Sequence, residues 1–109
     1  MSKIFYDMGV KPSQPDTLNQ TPLYYAARDG KVNLIEFLVK HGCDVNHIDT
    51  YGQTPIFYAT REGHLDAIKK LIEFGGDSDL VDNNGQTPLY YAIKHGKAEI
   101  VDFLLKQGS

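Results

Sequence analysis

Between Val32 and His41 the apolar residues Leu34, Ile35, Phe37, Leu38 and Val39 recur at the spacing of a helix, not in the alternation of a strand. Just before them the segment PLYYAARD (22–29) predicts a shorter helix of about two turns. Thr21-Pro22 opens that helix: the threonine offers a capping oxygen, and proline at the first helical position gives up no needed N–H. Gly30 closes the first helix in a left-handed cap, and Gly42 ends the second. The next stretch, CDVNHIDTYGQ, sets turn formers around a few apolar anchors, and DTYG, like DNNG further on, predicts a tight turn at the tip of a finger.

The same pattern returns. TPLYYAARDG from Thr21 comes back as TPIFYATREG from Thr54 and as TPLYYAIKHG from Thr87, each time 33 residues on. Ala26, Ala59 and Ala92 fall into register, as do Gly30, Gly63 and Gly96, Asp44 and Asp77, and Asp49 and Asp82. A pair of short helices cannot bury both its apolar faces, so each unit must stack on the next and the core runs along the array. The alanines let first helices of successive units lie close together. The expected fold class is therefore all-α, a solenoid of stacked helix-turn-helix units with projecting turn fingers. The units are expected at 21–53, 54–86 and 87–109, preceded over 1–20 by the second helix and finger of a partial one. There Gly9 aligns with Gly42 and Asp16 with Asp49, while Pro12 and Pro15 stiffen the finger. Both ends fall inside a repeat, so the sequence reads as a piece of a longer array.

The row TPLYYAARDGKVNLIEFLVKHGCDVNHIDTYGQ resembles the ankyrin repeat, with its 33-residue period and T-P-L-H-x-A signature. The chain departs from that signature at its histidine, which is replaced by Tyr24, Phe57 and Tyr90. The resemblance implies that this histidine would have bridged units by hydrogen bonds, so packing must substitute for polarity here. Ser78 stands where the first unit has Val45, which predicts the softest joint of the array, and Asn19 stands at a finger glycine. The family also contains repeats hydroxylated at the position of Asn46, although a finger-bracing side chain is the better account of that residue.

Composition narrows the function without naming it. The 109 residues carry a net charge of −3, which gives no support for binding the phosphates of a nucleic acid. No apolar run is long enough for a membrane span, and no signal-peptide core is visible near Met1. The single cysteine, Cys43, cannot form an internal disulfide, so the default setting is intracellular, cytoplasmic or nuclear. No phosphate loop or nucleophile elbow is present. His41, Cys43 and His47 cluster in sequence, but their spacing fits no standard zinc pattern, and Cys43 is expected as a buried inert thiol. His64 is expected to start a helix. The tyrosines Tyr24, Tyr25, Tyr58, Tyr90 and Tyr91 fit core packing better than an aromatic cage for a methylated lysine. No catalytic site, cofactor, metal or small-molecule substrate is expected.

In ankyrin repeats the finger tips and the ends of the first helices form a concave surface. Carried onto this chain, the tips are Thr17, Leu18, Gln20, Thr50, Tyr51, Gln53, Asn83, Asn84 and Gln86, and the helix ends are Arg28, Asp29, Arg61, Glu62, Lys94 and His95. A basic residue recurs once per unit at Arg28, Arg61 and Lys94. Tyr51 and Leu18 are apolar or aromatic residues on solvated turns, and aromatic and arginine side chains are the usual hot-spot types. The expected function is a protein–protein interaction module that takes a partner segment along this surface. Tyr51 is then the anchor, and the basic column meets acidic groups. The alternative is a regulatory or positioning segment of an enzyme or channel with mainly intramolecular contacts. A monomer is expected, with end-to-end association possible through the apolar ends.

Overall fold

In the computed structural model residues 17–108 are described, so the expectations for Gly9, Pro12, Pro15 and Asp16 lie outside the described residues. Three helix pairs follow one another: α1 (Pro22–Arg28) with α2 (Val32–Lys40), α3 (Pro55–Glu62) with α4 (Leu65–Glu73), and α5 (Pro88–Lys94) with α6 (Ala98–Gly108). The inner helices α1, α3 and α5 stack side by side, each leans on its own outer helix, and α2 packs on α4. Among the described residues there is no strand, and the architecture is an all-α solenoid.

Of the apolar residues read from the sequence between Val32 and His41, Ile35 and Leu38 point inward and Val39 is half-buried, whereas Leu34 and Phe37 are exposed on the outer face. Ile35 and Leu38 of α2, Ala67, Ile68 and Leu71 of α4, and Ile100 and Leu104 of α6 are buried against Leu23, Ile56 and the alanines of the inner helices. Ala26, Ala59 and Ala92 are all but inaccessible, so nothing larger would let α1, α3 and α5 approach as they do. Close approach recurs at Gly30, where φ is +70° and a Cβ would sit 2.7 Å from the ring of His64. His64 stands at the N-terminus of α4, as expected, and its ring lies against the backbone of the preceding unit.

Two expectations need correcting. Only Thr87 caps with its side chain, accepting from the Tyr90 N–H at 3.3 Å, whereas Thr21 and Thr54 make no such bond. Their hydroxyls are buried inside the stack, and the backbone carbonyls of Thr21 and Thr54 accept from Tyr24 and Phe57 instead, each at 3.0 Å. Nor does packing wholly replace the bridging histidine. The hydroxyl of buried Tyr24 lies 2.7 Å from the Gln53 carbonyl and 2.5 Å from that of His47, so unit 1 keeps a polar tie to the finger that leads into unit 2. Phe57 is buried with no such tie, and Tyr90 is exposed.

That asymmetry makes a prediction. In register, the carbonyls facing a hydroxyl at position 57 belong to Leu80 and Gln86. Phe57→Tyr should therefore add a hydrogen bond worth about 1 kcal/mol, and Tyr24→Phe should lose at least as much. Urea unfolding of both variants measures this; a Phe57→Tyr protein less stable than the parent would show that the second unit has no room for the hydroxyl.

The fingers are tied backbone to backbone. Thr50 donates its N–H to the Leu18 carbonyl and Asn83 donates to that of Tyr51, each at 3.0 Å. Gly52, at φ +76°, is required here: a Cβ would come within 2.9 Å of the Asn83 nitrogen. Asn19, the glycine's equivalent, takes φ +61°, a left-handed geometry that asparagine tolerates. Asn46 braces consecutive units, donating to the Gly75 carbonyl at 3.1 Å and accepting from the Asp77 N–H at 2.8 Å. At the joint expected to be softest, Ser78 is only part-buried where Val45 is buried, and α6 packs on α4 more sparsely than α4 packs on α2.

Candidate functional site

The fingers of the first two units carry aspartates, Asp49 and Asp82, that organise the surface beside them. Asp49 Oδ1 accepts the backbone N–H groups of Tyr51 and Gln53, both at 2.9 Å, which folds the tip of the turn. Its Oδ2 accepts from Gln20 Nε2 at 2.9 Å and from the Tyr58 hydroxyl at 2.6 Å. One unit on, Asp82 repeats the arrangement with Asn84, Gln86, Gln53 and Tyr91. Glutamine from one finger, aspartate from the next and tyrosine from the inner helix behind it thus form a rung that crosses between units.

The rungs set the charge state of their members. Burial alone would raise the Asp82 carboxyl, but donors from Tyr91, Gln86, Gln53 and Asn84 outweigh it and hold the group below the usual carboxylate range. Burial and the neighbouring carboxylate act together on the phenols: Tyr58 beside Asp49 and Tyr91 beside Asp82 are both raised above the ordinary tyrosine value, with Arg61 opposing. Tyr24, buried near Asp49, is raised as well.

In front of the rungs lies a groove of about 500 Å³, lined by Leu18, Gln20, Tyr51, Gln53 and Asn84 from the fingers and by Arg28, Tyr58, Arg61 and Tyr91 from the inner helices. Arg61 is its fixed cation. Nη1 donates to Gln53 Oε1 at 3.1 Å, and the guanidinium lies 5.3 Å from the Tyr58 ring centre and 5.7 Å from that of Tyr91. Arg28 lies 5.0 Å from the Tyr25 ring centre and pairs with Asp29 at 3.4 Å, both side chains being half exposed.

Of the residues expected on the binding surface, Leu18, Gln20, Arg28, Tyr51, Gln53, Arg61 and Asn84 line the groove. Gln20 and Gln53 do so as buried members of the rungs and not as tips facing solvent. Asp29 stands at the edge as the partner of Arg28. Asn83 spends its side-chain amide on the Thr50 carbonyl at 2.9 Å. Lys94 lies over the Tyr90 ring, and Lys94, His95 and Glu62 are exposed outside the groove. Of the tyrosines assigned to the core from the sequence, Tyr24 and Tyr91 are buried, Tyr58 is half-buried, and Tyr25 and Tyr90 are exposed; Tyr58 and Tyr91 also line the groove wall. The finger aspartates signalled this, since a buried carboxylate needs donors and tyrosine nine residues on supplies one.

The sequence cluster His41, Cys43 and His47 separates into local duties. His41 stacks on Phe37 at 4.1 Å, and His47 Nε2 lies 2.7 Å from the Asn19 carbonyl. Cys43 is buried, and that burial pushes its thiol above the ordinary value. No helix of the described residues is long and apolar enough to cross a membrane.

No curated protein matches the sequence. The family profile described as ankyrin repeats (3 copies) does, over residues 2–79 and 23–109. With the period, the paired helices and the tied fingers in place, the chain belongs to the ankyrin-repeat family.

Proposed function

We propose that this chain is a non-catalytic binding module that takes a partner protein segment along the groove between its fingers and inner helices. Ankyrin repeats are in general protein-interaction modules and typically non-catalytic. The observation that carries the reading is the division of labour in the groove. Asp49, Asp82, Gln20 and Gln53 are consumed in holding the units together. Tyr51 and Arg28 stand exposed at the rim, and neither side chain is part of the core.

The test is affinity capture with the parent chain, with Arg28→Ala/Tyr51→Ala, and with Glu36→Ala/Lys40→Ala on an outer helix as control, all checked for helicity. A partner held by the parent and the control but lost by the groove pair, with at least a tenfold weaker affinity on purification, is the expected result. Equal capture by all three would remove the groove as the working surface.

A further inference from the structure

The partner segment can be specified further, resting on the groove reading above. We infer that it is an extended acidic peptide with two carboxylates three residues apart, one received by Arg28 and the other by Arg61. Arg61 is the starting point. Among the described residues no carboxylate lies in ion-pair range of it, and the structure nonetheless holds it in place by Gln53 and two tyrosine faces. A guanidinium immobilised before a ligand arrives has lost its rotamer freedom already and offers its remaining donors in a fixed fork. Asp82, joined to it through Gln53, answers part of its charge from behind, and that carboxylate is itself saturated by four donors. The side of Arg61 toward the groove is left for an incoming anion.

Arg28 is the equivalent residue one unit earlier, over Tyr25 as Arg61 is over Tyr58. Its pair with Asp29 is long and half exposed, the kind that contributes little and exchanges readily. The two arginines sit on neighbouring packed helices, so their separation is about one interaxial distance, 8–10 Å. A chain extended as a polyproline II helix has three residues per turn and rises about 3.1 Å per residue, so side chains three residues apart lie on one face about 9 Å apart and match that interval. Lys94 is the third residue of the column in sequence, but it lies outside the groove and takes no carboxylate in this arrangement. Leu18 and Tyr51 at the mouth then face the residues between the two acids.

The probe is a set of heptapeptides, Gly-Ser-Glu-Ser-Ser-Glu-Gly, its Glu-Glu neighbour variant and its Gln-for-Glu variant, titrated into the full chain by NMR of the arginine Nε–Hε groups. The expected result is saturable shifts of the Arg28 and Arg61 signals with the three-residue spacing. Binding should be several-fold weaker for adjacent acids, lost for the Gln peptide, weakened by salt, and reduced at least fivefold by Arg28→Gln, which leaves the rungs intact. Equal binding of the Gln peptide overturns the acidic specificity while leaving a groove that binds peptides. Equal binding of the adjacent-acid peptide overturns the spacing. A short oligothymidylate bound as tightly as the acidic peptide would make the site a general anion cleft and overturn the proposal. So would shifts that no peptide produces at the arginines, even where the capture experiment still finds a partner lost by the groove pair.

Discussion

Replacing Asp82 by alanine should cost about 2–3 kcal/mol of folding stability at neutral pH, a large part of the roughly 5–15 kcal/mol that holds a domain of this size. One side chain receives two backbone N–H groups, an amide from the preceding finger and the Tyr91 hydroxyl. Alanine leaves the Gln53 amide and the Tyr91 hydroxyl unmet where water is largely excluded, with a desolvation cost for each, while the Asn84 and Gln86 N–H groups are only part-buried. The effect has a pH signature. Because the folded protein holds Asp82 below the usual carboxylate range, its contribution is complete above the unfolded value of about 4 and drains away as pH falls through the folded value. Urea titrations of parent and Asp82→Ala should therefore show a gap in stability at pH 7 that narrows as pH falls through the acid range. A gap that stays constant over that range would mean that the carboxylate charge plays no part.

At the other end of the scale, the stack should unfold cooperatively in mild alkali. Tyr24 and Tyr91 are buried beside carboxylates, and both phenols are raised above their ordinary value. The folded state then keeps protons that the unfolded chain releases above pH ~10, so stability is intact below that point and lost as pH rises beyond it. A tyrosine held neutral contributes a slope of about 1.4 kcal/mol per pH unit, so Tyr24 uses up roughly 2 kcal/mol before pH 12 and Tyr91 adds in the same direction. Absorbance of phenolate at 295 nm and helical circular dichroism should change together in a late phase. Tyr24→Phe is the decisive comparison. It should be less stable than the parent at pH 7 yet lose stability less steeply above pH 10. Parallel curves for the two proteins would rule out Tyr24 as a source of the alkaline limb.

These two effects meet in features that the sequence revealed unequally. The helices were legible because Thr-Pro starts, glycine stops and helical apolar spacing all recur in one register, at 33 residues. Placing Arg28, Arg61 and Tyr51 on one surface needed only that register and the resemblance. The roles of Gln20 and Gln53 were not legible, since glutamine on a turn ordinarily faces water; burial became visible only with the neighbouring finger in place. The groove-facing hydroxyls of half-buried Tyr58 and buried Tyr91 were hidden for the matching reason, because an aromatic residue in a short helix reads as core alone until its hydroxyl finds a carboxylate on another unit. Tyr24 shows the converse: its ring is core, and its hydroxyl ties α1 to the finger of its own unit at His47 and Gln53.

The sparser packing of α6 on α4 bears on the mechanics of the array. Along the fingers the units are riveted by backbone bonds, and along the inner helices they are in close contact. On the outer side the last pair is the slack one, so the array is stiff at one edge and compliant at the other. Bending then has a preferred place and a preferred sense: the outer edge opens there, and the finger side acts as the pivot. A load that curls the array would tighten the mouth between Tyr58 and Tyr91 on whatever lies within it, and one that straightens the array would ease that grip.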